Sequence, residues 1–92
     1  MLKSFKCKDT SKLHDGKYVK SFDKIQDAAR RKLLVLEAAT SLEDLRSPPG
    51  NHLEELKADR VGQHSIKVND QYRVCFVFKD GNAHDVEITD YH

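Results

Sequence analysis

His64-Ser65-Ile66-Lys67-Val68-Asn69-Asp70-Gln71-Tyr72-Arg73-Val74-Cys75-Phe76-Val77-Phe78 is the stretch whose reading decides the fold. His64, Ile66 and Val68 alternate with Ser65 and Lys67, and Tyr72, Val74, Phe76 and Phe78 alternate with Arg73, Cys75 and Val77. A period of two marks half-buried strands, and the polar Asn69-Asp70-Gln71 between them marks a hairpin. Loop length then sets the register. A two-residue loop would pair Ile66 with Arg73 and throw the apolar sets onto opposite faces. A three-residue loop, 69–71, pairs Val68 with Tyr72 and Ile66 with Val74 and buries one consistent face. The longer loop is therefore expected, and it sets Lys67 directly opposite Arg73 on the face away from the core. Like charges opposed across a strand pair are destabilising, so the pair calls for an anion between them or a nearby carboxylate, with Glu87 suggested by spacing.

Downstream, Asp80-Gly81 is a tight-turn signal. The strand after it carries Val86 and Ile88 on one face and Asp85, Glu87, Thr89 and Tyr91 on the other. Upstream, Phe22, Ile25, Ala29, Leu33 and Leu36 recur at helical spacing and predict a helix over residues 22–39, with Ser21 as its cap and Asp23 in its first turn. Arg30, Arg31 and Lys32 then form a solvated outer face or a phosphate-contacting stripe. Ser41-Leu42-Glu43-Asp44 fits a capping box, so Leu42 to Arg46 reads as one more turn, ended by Pro48-Pro49-Gly50. Residues 8–20 read as loop or weak helical turn, and residues 1–6 as a short strand. The fold class is α+β, a small antiparallel sheet with helices packed on one face.

The chain has 92 residues, 38% of them hydrophobic, which suits one core and one domain over 1–92. No apolar run is longer than the five residues Val74 to Phe78, so no membrane span is expected, and the first residues lack the pattern of a signal peptide. A cytoplasmic protein follows. Cys7 and Cys75 lie far apart in sequence and read as reduced thiols in or near the core, not as a disulfide scaffold or a metal pair. Net charge is +1 but uneven: residues 1–32 hold ten Lys/Arg and four Asp/Glu, whereas residues 33–92 hold six and eleven. A basic first third, with Lys20, Lys24 and Arg31, suits contact with a polyanion.

The outer face of the sheet collects Lys57, Arg60, Lys67 and Arg73, with His52, His64, Tyr91 and His92. No carboxylate cluster for Mg²⁺, no Gly-rich phosphate loop and no G-x-S-x-G accompanies them. A cation-rich site with His and Tyr suits metal-free RNA cleavage, for which no cofactor is expected. The 2′-OH is RNA's own nucleophile, a base removes its proton, cations stabilise the dianionic phosphate, and an acid protonates the leaving 5′-oxygen. Aromatic rings stack on unpaired bases.

Particular segments narrow this further: 38–45 (AATSLEDL), Pro48-Pro49-Gly50-Asn51, 53–60 (LEELKADR), 62–74 (GQHSIKVNDQYRV) and the ending Asp85-Val86-Glu87-Ile88-Thr89-Asp90-Tyr91-His92. Through them residues 22–92 resemble the HigB toxins of the RelE-like superfamily of bacterial toxin–antitoxin systems. The resemblance implies a RelE-like fold and a ribosome-dependent mRNA endonuclease that enters the A site of the 70S ribosome. It also implies a HigA-type helix-turn-helix antitoxin, through which alone the toxin meets operator DNA. By position, Lys57, Arg60 and Arg73 match residues that bind and stabilise the phosphate. Asp90, Tyr91 and His92 match the motif that shapes or carries out the acid–base step. His52, Glu54 and Lys67 complete the RNA-facing set, and the general base stays open among Glu54, His52 and His92. Two departures stand out: Ala58 where Gly is usual, which would stiffen the loop, and His52 where Arg is frequent. They motivate a rival reading, a degenerate toxin-like module that binds antitoxin and operator without cutting RNA. A metal hydrolase using His84, Asp85 and His92 is disfavoured, because those residues alternate awkwardly along one strand.

Overall fold

The computed structural model describes residues 1–90. Its elements run α1 (Lys8–His14), α2 (Gln26–Ala38), then β1 (Glu54–Glu55), β2 (His64–Lys67), β3 (Tyr72–Lys79) and β4 (Asn82–Asp90), with short 3₁₀ turns at Lys20–Ile25, Leu42–Arg46, Pro49–Asn51 and Ala58–Arg60. The four strands form one antiparallel sheet in the order β1-β2-β3-β4.

The β2–β3 hairpin has the expected register: Ile66 faces Val74 and Lys67 faces Arg73. Val68 N–H donates to the Tyr72 carbonyl at 2.9 Å, closing the three-residue loop. Asn69 Oδ1 accepts the N–H groups of Gln71 (2.9 Å) and Tyr72 (2.7 Å), so the loop carries its own side-chain cap. Asp80 (φ 53°) and Gly81 (φ 78°) both take the left-handed conformation that a two-residue hairpin turn needs.

In β4 the alternation breaks at one residue. Val77 faces His84 and Cys75 faces Glu87, so β4 spends one extra residue between those pairs. Asp85, at φ 53°, lies in this bulge and not in a regular outward row, because a bulge inserts a residue and turns the strand. Val86 and Ile88 remain buried as expected.

Residues 1–6 run parallel along the free edge of β4, with Lys3 N–H on the Ala83 carbonyl (2.8 Å) and Val86 N–H on the Ser4 carbonyl (3.0 Å). Farther along, the buried Thr10 hydroxyl accepts Ile88 N–H at 3.0 Å. Both contacts satisfy an edge that would otherwise offer unpaired backbone groups.

The apolar stripe Phe22, Ile25, Ala29, Leu33 and Leu36 is buried throughout against Ile66, Val74, Phe76, Val86 and Ile88. The helix itself starts later than its stripe predicts. Residues 20–25 form a 3₁₀ turn broken at Phe22, and α2 begins at Gln26 with Ile25 before it. Ser21 therefore caps nothing; its hydroxyl donates to Asp9 at 3.1 Å. Residues 8–14 are a helix and not a loop, since Thr10 and Leu13 are buried on one side of it. The capping box at Ser41 and Asp44 forms as read, and backbone N–H groups from Thr40 and Ser41 hold the Asp44 carboxyl below its usual range. Among the described residues no helix is long and apolar enough to cross a membrane.

Candidate functional site

On the sheet face away from the helices, His52, Glu54, Lys67, Asn69, Asp70, Gln71 and Arg73 line a cleft of about 360 Å³. Four residues chosen from sequence for RNA, namely His52, Glu54, Lys67 and Arg73, thus meet in one place. Strand alternation delivers Lys67 and Arg73 to it. The Pro49–Asn51 turn, which leaves His52 in the left-handed region at φ 44°, delivers the other rim.

The Lys67–Arg73 repulsion is relieved by neighbours that spacing did not single out. Lys67 Nζ lies 3.1 Å from Asp70, and Arg73 Nη1 lies 4.0 Å from Glu54. Glu87 is engaged elsewhere, 3.3 Å from Arg60 Nη1. The reason is geometric: Glu87 stands opposite Cys75 in the register, whereas Arg73 stands opposite Thr89.

Arg73 is also less exposed than an outward strand position suggests, with only 12% of its side chain accessible. Its Nε–H donates to Ser65 Oγ at 2.7 Å, and its Nη2 donates to the His52 carbonyl. Arg73 therefore supports the fold as well as the cleft. Removing it strands the fully buried Ser65 hydroxyl, at a cost of roughly 1–3 kcal/mol. Ser65 was missed from the sequence. A small polar residue diagonal to Arg73 on the neighbouring strand, two positions from Lys67, was the available signal.

Lys57 is exposed and caps the Ala58–Arg60 turn with its carbonyl, which accepts Arg60 N–H at 3.1 Å. Neither Lys57 nor Arg60 lines the cleft. Gln71 Nε2 donates to Asp90 at 2.9 Å, which ties the strand end to the cleft rim. Tyr91 and His92 lie outside the described residues.

A second cleft, about 450 Å³, adjoins the first through Asn69 and Gln71 and is lined also by Lys20, Ser21, Phe22, Asp23, Lys24, Ile25 and Tyr72. Arg31 is exposed on α2. Its neighbours in sequence are not free cations: Arg30 donates to the carbonyls of Leu13 and Lys17, both at 3.3 Å. Lys32 Nζ donates to the buried Asn51 Oδ1 at 2.6 Å. The stripe Arg30-Arg31-Lys32 thus divides into two structural cations and one exposed one.

Both cysteines are free thiols. Cys75 is buried, and that burial pushes its thiol pKa up. Among the described residues no three His, Cys, Asp or Glu side chains converge as a metal set.

This α+β architecture is found in solved bacterial toxins. The toxin–antitoxin complex of YoeB and YefM from Staphylococcus aureus contains a chain that superposes with a TM-score of 0.64 at 17% identity, covering 100% of this chain and 98% of that one. The sequence pattern of the family described as the RelE-like toxin of type II toxin-antitoxin system HigB matches residues 3–92, and the chain belongs to that family. Toxin HigB-1 of Vibrio cholerae is 49% identical over 59 residues, which are 64% of this chain and 62% of that protein. The Endoribonuclease HigB of Proteus vulgaris is 33% identical over 97 aligned positions that cover 100% of both chains.

Proposed function

We propose that residues 1–92 form one toxin domain that cuts mRNA in the A site of the 70S ribosome, by general acid–base attack of the 2′-OH and without a cofactor. The observation that carries this reading is Arg73, a cation held in place at the wall of a cleft that also contains Lys67, His52 and Glu54. The name of the Proteus vulgaris relative supports RNA cleavage.

In the proposed reaction the scissile phosphate sits against Arg73 and Lys67 and displaces their weak carboxylate contacts. Glu54 then becomes the best-placed base, because it lines the same cleft 4.0 Å from the guanidinium that would hold the phosphate. It takes the 2′-OH proton, the 2′-oxygen attacks phosphorus, and the P–O5′ bond breaks. The 5′-oxygen receives a proton from the C-terminal motif, with His92 as donor and Tyr91 stacked on a base. Asp90, bonded to Gln71, orients that motif. Lys57 and Arg60 contact flanking phosphates, and Lys20, Lys24 and Arg31 grip ribosomal RNA. The partner is a HigA-type helix-turn-helix antitoxin, operator DNA is reached only through it, and the site of action is the cytoplasm.

Expression without antitoxin tests the reading: growth arrest with loss of translated mRNA is expected. Deletion of Tyr91 and His92 should abolish both, and His92→Gln should slow cleavage by about 10²- to 10⁴-fold. Normal growth with intact complex formation would instead identify a toxin-like module that binds antitoxin and operator and cuts nothing.

A further inference from the structure

Glu54, Ser65, Cys75 and Glu87 are successive cross-strand neighbours, one from each strand of the sheet. Acids stand at the two ends of this row and small residues in the middle. An arginine sits by each acid, Arg73 at Glu54 and Arg60 at Glu87. Ser65 and Cys75 point away from the helical layer, yet their exposures are 0% and 1%. On the Ser65 side, the Arg73 side chain contributes to that cover.

A guanidinium has five N–H groups in a planar fork, and its direction is set by which of them are taken. In Arg73, Nε–H goes to Ser65 Oγ at 2.7 Å. Nη2 goes to the His52 carbonyl and, at 3.5 Å, to the Ser65 carbonyl. Nη1 makes none of these bonds and lies 4.0 Å from Glu54 Oε1. Two anchors from different segments therefore fix the plane of the group and leave one end for an incoming oxyanion.

We propose that Ser65 is a positioning residue, a buried hydroxyl that orients Arg73 so that Nη1 meets the phosphate. His52 shares this role through its backbone carbonyl and not through its imidazole. The proposal rests on the endonuclease reading for its rate effect, but not for its geometry. A hydroxyl in this place costs nothing at the moment of reaction, because the orientation is set during folding. An unanchored arginine must be ordered by the substrate instead. Misplacement of a catalytic group by about 1 Å costs on the order of 10²-fold in rate.

The test compares wild type, Ser65→Ala, Ser65→Thr, Arg73→Lys and the Ser65→Ala/Arg73→Lys double variant in single-turnover mRNA cleavage on ribosomes. Ser65→Ala should lower the maximal rate by roughly ten- to a hundred-fold with little change in half-saturation. Ser65→Thr, which keeps the hydroxyl, should recover most of it. In the Arg73→Lys background, where no Nε–H faces residue 65, Ser65→Ala should change nothing further. Equal falls in both backgrounds, or full activity in Ser65→Ala, would overturn the proposal. The geometry is read separately by ¹⁵N NMR of the folded protein. The Arg73 Nε–H signal should exchange slowly with water in wild type and rapidly in Ser65→Ala. An Nε–H signal equally protected in both would also overturn it. Wild-type protein that cuts no RNA but shows the expected NMR change would refute the endonuclease reading and leave the anchoring role of Ser65 standing.

Discussion

The two adjoining clefts share Asn69 and Gln71 but treat positive charge in opposite ways. In the smaller one, Arg73 is held by Ser65 and His52 and faces Glu54, while Lys67 is matched by Asp70. In the larger one, Lys20 and Lys24 are exposed, and the carboxylate beside them, Asp23, is occupied by the Tyr18 hydroxyl at 2.6 Å. Fixed cations suit chemistry, because their orientation precedes the substrate. Loose lysines suit attachment, because a flexible ammonium follows a polyanion without a set geometry. On the proposed function, this difference would give reaction to the first cleft and grip to the second.

The largest expected effect lies at the fixed cation. Arg73→Ala should reduce mRNA cleavage by roughly 10²-fold or more, and it should also lower stability by about 1–3 kcal/mol because Ser65 loses its donor. Rate assays at a temperature where the variant is fully folded separate the two. Full activity in the folded variant would break the comparison at its stronger end.

Next comes the grip. Charge reversal at Lys20, Lys24 and Arg31 should weaken ribosome binding by about ten-fold or more and flatten its dependence on salt. Cleavage at saturating ribosomes should be spared. Unchanged affinity would mean that these side chains are only solvated surface.

A smaller effect separates free from structural cations within one helix. Lys32→Met removes a charge one position from Arg31, but Lys32 holds the buried Asn51, which in turn donates to the carbonyls of Leu45 and Ser47. The variant should lose about 1–3 kcal/mol of stability and keep its ribosome affinity. A loss of affinity without loss of stability would instead make Lys32 a phosphate contact.

These contrasts also mark how far the sequence could be read. Strand alternation and loop parity alone put Lys67 opposite Arg73, because a one-residue slip would have exposed the whole apolar face. The burial of Phe22 through Leu36 was legible for the same reason, since periodicity reports which side is apolar. It does not report where backbone hydrogen bonding begins, and the break at Phe22 therefore stayed hidden. Charge partners were hidden too: Glu54 and Asp70 reach the cations through a short edge strand and a loop, and no pattern of period two or 3.6 encodes that approach. Ser65 was the hardest to see, because its importance comes from what covers it.

The smallest expected effect concerns the loop that carries Lys57. Ala58 has a φ of 58°, in the left-handed region where a Cβ crowds the following carbonyl. Glycine takes that conformation freely, so the reading of Ala58 as a stiffening departure acquires a physical cause. Two opposing terms decide the outcome of Ala58→Gly. Relief of left-handed strain favours the folded state by about 1–2 kcal/mol, while the added freedom of an unfolded glycine costs about 0.4–1 kcal/mol. The net is a gain of between about 0 and 1.6 kcal/mol, visible as a small rise in melting temperature. Lys57 precedes this residue, and the turn is closed by Arg60 N–H on the Lys57 carbonyl and Val61 N–H on the Ala58 carbonyl, so both bonds should survive the change. Cleavage should then stay within a few-fold of wild type, since neither cleft is lined by this loop. A fall in stability would show that Ala58 is favoured by a contact outside the turn. A large change in rate would place Lys57 with the fixed cations of the first cleft and not with the loose ones.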